Sequence, residues 1–411
     1  MRVLFVVPYV PNPIRIRPFN FVRGLERAGH QVTVFTLWTS EQDLKDVARL
    51  RAECYRVLAF RLSRVRAMLN CARAIPTRLP VQAAYSWQPQ AGDALAALVR
   101  DGDEKGPFDI IHLEHLRSAR YALRIKDLSQ VGSRCPPMIW DSVDCITSLF
   151  RMAKEHSLSR FGRWVPKLEL SRTSAFEGSL AAAFPRVLVT AKPDAEALAG
   201  LMPPGSRRDQ IRVVPNGIDL DYFAPDPAVA RDPNRIVMSG KMSYHANVTM
   251  AVHFVRTIWP GLRRRQPGLK LWIVGKDPAR EVLALQDGPG IEVTGTVDDI
   301  RPYLRQAALA VAPLVYAVGI QNKVLEAMAC ATPTVISEAA AAGLQLETGT
   351  DALVALPDGH FAEAVMRLLD GPEIRGTLGH NGRRYVERFH SWQLATSQLE
   401  EHYVELITPS N

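Results

Sequence analysis

Lys323 and Glu326 stand three residues apart in the stretch LAVAPLVYAVGIQNKVLEAMACATPTVIS, residues 309–337. On a helix that spacing puts both side chains on one face. A lysine there neutralises phosphate. A carboxylate there accepts hydrogen bonds from the paired hydroxyls of a ribose, as the acid of dinucleotide sites does. Gly319, just ahead, has no side chain to keep a phosphate off the backbone. The N–H groups of Ile320, Gln321 and Asn322 would then face an anion at a helix start. These are parts for holding a nucleoside diphosphate. Lys323 and Glu326 also fit a surface ion pair on an ordinary amphipathic helix, the commoner use of such spacing.

Such side chains need elements to hold them. Leu309–Pro313 is an apolar run of buried-strand type, and Asn322–Ala329 is built of helix formers. Ala331-Thr332-Pro333 stops that helix, and Thr334–Ser337 reads as the next strand. A strand–loop–helix–strand unit binds ligands past the carboxyl end of its first strand. Upstream, Ile236–Ser239 predicts a strand, followed by Gly240-Lys241 and a helix from about Asn247. Leu269–Gly275 and Ile291–Thr294 predict strands, and Asp298–Arg305 a helix.

The first half has the same alternation. Val3–Val7 and Gln31–Leu37 read as strands around the helix Ile16–Ala28. The first loop is not G-x-G-x-x-G, which argues against a dinucleotide there. It carries Arg15 and Arg17 at its exit. Asp109–Leu113 and Met138–Asp141 are strands that run into polar residues: Glu114 and His115 after one, Asp141 and Asp144 after the other. His112 lies inside an apolar run and reads as a core histidine. Alternating strands and helices predict an α/β chain with doubly wound parallel sheets.

The 411 residues, 47% hydrophobic and 22% charged, suit a soluble globular chain of two or three domains. No apolar run reaches the roughly 18 residues that span a bilayer. The opening MRVLFVV reads as a strand and not a signal peptide. Five cysteines without a C-x-x-C pair argue against a disulfide framework or zinc site and for a reducing, cytoplasmic setting. Residues 1–205 hold 29 Lys and Arg against 19 acids, and 206–411 hold 21 against 23. That asymmetry suggests two domains with different partners. Eight arginines fall between Arg49 and Arg78 with a single acid, Glu53. Leu58, Leu62, Val65 and Leu69 recur there at helical spacing. Such a segment is either a contact for an anionic membrane surface or a strand and helix with solvent-facing arginines.

The motif GIQNKVLEAMACATPTV resembles the donor-site signature of retaining glycosyltransferases of family 4, of the bacterial exopolysaccharide and envelope type. The Pro215-Asn216-Gly217-Ile218-Asp219 turn and Ser391-Trp392 are similar to that family's second-domain start and final-helix start. The resemblance implies a GT-B fold: two Rossmann-like domains facing a central cleft, with the last helix crossing back to the first. Domains are then expected at 1–205 with 391–411 (acceptor side) and at 206–390 (donor side). The family's usual signature has two Glu separated by seven residues; Glu326 matches the second, which contacts ribose, whereas the first falls on Val318. A subset reads small-x-x-x-Lys-x-x-Glu, and Gly319, Lys323 and Glu326 match it. Lys241 matches the first of two diphosphate-clamping cations; the second falls on Asn247, so Lys323 or His245 would substitute.

The resemblance thus implies catalytic roles for Lys241, Lys323, Glu114 and His115, and donor contacts at Gly240, Gly319, Ile320, Gln321, Asn322 and Glu326. Arg15, Arg17, Asp141 and Asp144 fall on the acceptor side. The implied reaction is hexose transfer with retention from a nucleotide-diphosphate sugar to a saccharide or lipid-linked acceptor. No cofactor is expected, and no Asp-x-Asp pair offers a metal bridge, so the reading is metal-independent. No nucleic acid partner is expected. A GT-B epimerase or phosphorylase, or a non-catalytic nucleotide-sugar sensor, remains an alternative.

Overall fold

The computed structural model of the chain describes residues 1–130, 135–157 and 160–408. Its strands form two all-parallel sheets. The first holds β1 (Arg2–Val7), β2 (Gln31–Trp38), β3 (Arg56–Arg61), β4 (Ile110–Glu114), β5 (Met138–Val143), β6 (Arg186–Val189) and β7 (Ile211–Val213), in the order β3-β2-β1-β4-β5-β6-β7. The second holds β8 (Asp232–Ser239), β9 (Lys270–Val274), β10 (Ile291–Gly295), β11 (Ala307–Ala312), β12 (Thr334–Ser337) and β13 (Leu353–Ala355), in the order β10-β9-β8-β11-β12-β13. β11, AALAVA, is buried at every residue, as a parallel strand with both faces covered must be. The short β13 carries little sequence signal and is not anticipated by the sequence.

The chain groups into two compact units: Met1–Thr147, Glu169–Pro215 and Trp392–Asn411; and Ser148–Leu168 with Asn216–Ser391. These limits differ from those expected. Residues 206–215 stay with the first unit because they carry β7, which pairs with β6. The segment 148–168 counts with the second, where His156 stacks on Tyr316 at 6.3 Å. The final helix, Trp392–Ile407, lies in the first unit's core, where Ala395, Leu399 and Tyr403 join Phe5, Phe21 and Leu25.

The helical spacing across Leu58–Leu69 does not make one helix. Arg56–Arg61 is β3, an edge strand beside β2, and a helix begins only at Arg64. Ser63 fixes that break, since its hydroxyl accepts from the Arg66 N–H at 3.2 Å and caps the helix.

In each sheet the strand order reverses at one place: between β1 and β4, and between β8 and β11. Loops leaving the carboxyl ends of such neighbours diverge and leave a crevice. In the second sheet that crevice depends on two glycines. Gly240 has φ +147° and Gly275 has φ +152°, both in the region that favours glycine. The Gly240 N–H donates to Val274 O at 3.0 Å. A Cβ on Gly275 would lie 1.7 Å from the Gly240 carbonyl oxygen. Gly275→Ala should therefore lower stability by about 1–3 kcal/mol or more, read as a shifted urea-unfolding midpoint. An unshifted midpoint would show that this approach constrains nothing.

Candidate functional site

The second sheet's crevice is built from the end of β8 and the loop after β11. β8 pairs with β11 (Ile236 with Leu309, Val237 with Ala310), so Gly240-Lys241 and the loop 313–321 leave the sheet side by side. The helix Asn322–Ala329 has the limits read from the sequence. Gln321 does not cap it with its side chain, so its first-turn N–H groups have no partner from that cap. The Gln321 amide donates instead to Val318 O at 2.9 Å. Gly319 has φ +63°, and it and Ile320 are buried.

Lys323 and Glu326 share a helix face, as expected, and each acts on the other through its charge. Each keeps partial exposure. Burial pushes the Lys323 ammonium down to about 8, with Glu326 opposing the shift. Burial pushes the Glu326 carboxyl up to about 7, with Lys323 opposing. Lys323 Nζ donates to Asn247 Oδ1, and Asn247 Nδ2 donates to Lys241 O at 3.0 Å. The Lys241 side chain is exposed. His245 stacks on Tyr316 at 5.7 Å and shares a 2.6 Å hydrogen bond with its hydroxyl. Burial holds the His245 ring below its usual range, hence neutral. The arrangement presents two amines, a carboxyl and a helix start around one glycine-lined edge.

The first sheet's edge is acidic. Glu114 ends β4 and is buried; Tyr9 donates to its Oε1 at 2.7 Å, and its Oε2 has no hydrogen-bond partner. Burial, reinforced by the charge of Asp141, pushes Glu114 up to about 8. Burial would also raise Asp141, but Arg17 (Nε to Oδ2 at 2.8 Å) and His112 hold it below the usual range. Asp144 is pushed up to about 7 by burial and by Asp194. His115 turns the chain with φ +66° and ψ 157°, a conformation strained for any residue but glycine. Burial and Arg117 push its ring down to about 3, so it is neutral. His112 is buried, stacked on Phe5 at 4.2 Å and bonded to the Tyr403 hydroxyl at 2.9 Å. It is a core histidine, as its place in an apolar run indicates. Arg15 lies apart from this carboxylate group, 3.8 Å from Asp43 and over the Tyr9 ring at 4.9 Å.

Structure therefore brings Gly240, Asn322, Lys323 and Glu326 to one edge in the second unit. In the first it brings Arg17, Glu114, His115, Asp141 and Asp144 together. Sequence reasoning missed the aromatic hydroxyls of Tyr9, Tyr316 and Tyr403. It also missed the role of Asn247, which reads in sequence only as a missing lysine. Among the described residues no three His, Cys, Asp or Glu side chains are grouped to hold a metal ion.

Residues 18–222 match the family model described as Glycosyltransferase Family 4, and residues 233–371 the model Glycosyl transferases group 1. MMP alpha-(1->4)-mannosyltransferase of Mycolicibacterium hassiacum is 30% identical over 212 residues, 48% of this chain and 49% of that protein. D-inositol 3-phosphate glycosyltransferase of Acidothermus cellulolyticus is 27% identical over 315 residues, 70% of this chain and 65% of that protein. The chain thus spans about half the length of the first of these curated relatives, and under two thirds of the other. Among solved structures, sucrose-phosphate synthase from Thermosynechococcus elongatus matches with TM-score 0.72 at 18% identity, over 98% of each chain. Anabaena Alr3699/HepE in complex with UDP and glucose matches with TM-score 0.66 at 13% identity, over 99% of this chain and 100% of that one.

Buried acids make stability depend on pH. Glu114 has an ordinary value of 4.5 and a folded value of about 8. Between those limits the folded state keeps a proton that the unfolded state has lost, so this group's contribution falls as pH rises. Glu114→Gln removes that proton linkage. The variant should gain stability relative to the parent as pH rises from about 5 to 8, measured by urea unfolding. Parallel losses in both proteins would remove Glu114 as a proton-holding acid.

Proposed function

Since the chain has the GT-B fold and carries domains of two glycosyltransferase families, we propose that it transfers a hexose from a nucleotide-diphosphate sugar, with retention, to a saccharide or lipid-linked acceptor. The observation that carries this reading is the pair Lys323 and Glu326 on one helix face beside Gly240 and Lys241. Glu326 accepts the ribose hydroxyls. Lys241, Lys323 and the start of helix Asn322–Ala329 meet the charge that grows on the diphosphate as the glycosidic bond breaks. Donors fixed before that charge appears are the strongest electrostatic stabilisers of a transition state. The charge is met by side chains and backbone, so the reaction as proposed needs no metal ion. As proposed, departure and attack occur on the same face of the sugar. In the first unit, Glu114 and His115 are the proposed catalytic side chains and Arg15, Arg17, Asp141 and Asp144 the proposed acceptor contacts.

Lys323 near 8 and Glu326 near 7 suit this task. Burial holds each close to losing its charge. A phosphate favours the ammonium and a ribose favours the carboxylate, so the ligand itself restores both charges. HepE structures hold UDP and UDP-glucose, which makes uridine nucleotides the first donors to try. Purified protein should be given a panel of nucleotide sugars in EDTA, with and without membrane extract. Product that depends on both donor and extract supports transfer; product from donor alone supports the epimerase alternative. Glu326→Ala should weaken UDP binding by about 2–3 kcal/mol, since a charged acceptor is lost. Unchanged calorimetric affinity would displace the donor site.

No described helix is long and apolar enough to cross a membrane. The peripheral reading rests on the helix Arg64–Ala74. It buries only the small Ala67, Asn70 and Ala74. It turns Val65 (68% exposed), Met68 (71%) and Leu69 (46%) outward, and Ile75 (63%) follows it. Arg64, Arg66 and Arg73 are exposed on the same helix. Apolar side chains flanked by arginines suit the anionic, cytoplasmic face of a membrane, where each basic residue contributes about 1 kcal/mol. The protein should co-sediment with phosphatidylglycerol-containing vesicles, and less as salt rises. Changing Arg64, Arg66 and Arg73 to Gln should abolish this while UDP affinity stays intact. Equal sedimentation with neutral vesicles would sink the membrane reading.

A further inference from the structure

We propose that Asn247 is the positioning residue that ties the Lys323 ammonium to the Gly240-Lys241 backbone in one diphosphate grip, a role that rests on the donor site proposed above. Its amide uses both ends. Nδ2 donates to the Lys241 carbonyl at 3.0 Å, and Oδ1 accepts from Lys323 Nζ. Asn247 is 5% exposed, in the first turn of the helix His245–His253, so it has little freedom to do otherwise. Gly240 lies against both partners: a Cβ there would sit 2.8 Å from Asn247 Nδ2 and 3.4 Å from Lys323 Cε. The amide and the amine chain thus fill the Cβ side of Gly240 and are packed against the end of β8.

The chemistry explains why an amide stands here. A lysine at 247 has no acceptor for the Lys323 ammonium and would set two cations together in a desolvated place. An amide accepts from the one ammonium and leaves it charged. Here the second cation comes from the helix Asn322–Ala329, and Asn247 fixes where it points. The ionisable group whose charge acts on Lys323 is Glu326, on its own helix; Lys241 and His245 belong to the segment after β8 that carries Asn247. Glu326 supports the ammonium against burial, which together leave it near 8. Asn247 adds an acceptor, which favours the charged form.

The test is UDP affinity by calorimetry between pH 6 and 9.5. Wild-type affinity should fall above about pH 8 as Lys323 loses its proton. Asn247→Ala should bind UDP roughly tenfold more weakly at pH 7, with the fall moved to lower pH. Asn247→Asp adds an anion, so its fall should move to higher pH whatever its affinity. Lys323→Met should lose the fall above about pH 8, and Asn247→Lys combined with Lys323→Met should recover most of the lost affinity. Opposite movements of the fall in Asn247→Ala and Asn247→Asp are something that a merely structural role would not produce. If UDP binds, Glu326→Ala weakens it, and both Asn247 variants keep the wild-type profile, the positioning role is wrong and the donor site stands. If UDP and other nucleoside diphosphates fail to bind the wild type, both are wrong.

Discussion

The parallel pairing of β8 with β11 is the constraint on which the second unit's chemistry depends. Parallel neighbours cannot be joined by a tight turn, so each strand is followed by a crossover and returns to start from the same edge. β9 and β10 are laid on one side of β8 and β12 and β13 on the far side of β11. The two strands whose loops diverge are therefore neighbours in the sheet and distant in sequence. Gly240-Lys241 and Lys323 meet only because Val237 pairs with Ala310. The first sheet repeats the device: Phe5 pairs with His112, and Tyr9 reaches Glu114 from the next loop.

Much of this was legible from residue patterns. The helix Asn322–Ala329 and the strand Thr334–Ser337 fall where their composition puts them, because an alanine-rich helix stopped by Ala331-Thr332-Pro333 leaves little choice. β11 is a fully apolar run, as is β1 after Arg2, and burial on both faces favours that; β2 is mostly apolar but buries Thr33 and Thr36. What was not legible follows from tertiary effects. The segment Leu58–Leu69 satisfies a helical period by chance across a strand, a cap and a helix start, and only the edge of β2 decides among them. The charge state of Lys323, Glu326 and Glu114 comes from burial, which a sequence does not state. Asn247 carries no signal by itself; its meaning appears only when Lys241 and Lys323 lie on either side.

The two units also show how poorly the charge of a region reports the charge of its site. Residues 1–205 carry the positive excess of the chain. Yet the carboxyl edge of the first sheet gathers Glu114, Asp141 and Asp144 around one buried guanidinium, Arg17, with its histidines neutral. The positive charge lies elsewhere, much of it on β3 and the helix after it. The acidic second half presents amines at the equivalent edge. Surface charge sets what a domain meets over a Debye length, whereas the edge of its sheet sets what it holds.

Desolvation ties these observations into one argument. In water Lys323 and Glu326 would form an exposed pair of little consequence. Partly buried, with Lys323 bonded to Asn247, each only partly offsets the other's desolvation, which leaves Lys323 near 8 and Glu326 near 7. In the donor site proposed above, an anion would complete the one and hydroxyl donors the other. A nucleoside diphosphate carries both, separated by the length of a ribose. The residues that read as an ordinary ion pair in sequence suit the proposed site because burial brings each close to losing its charge.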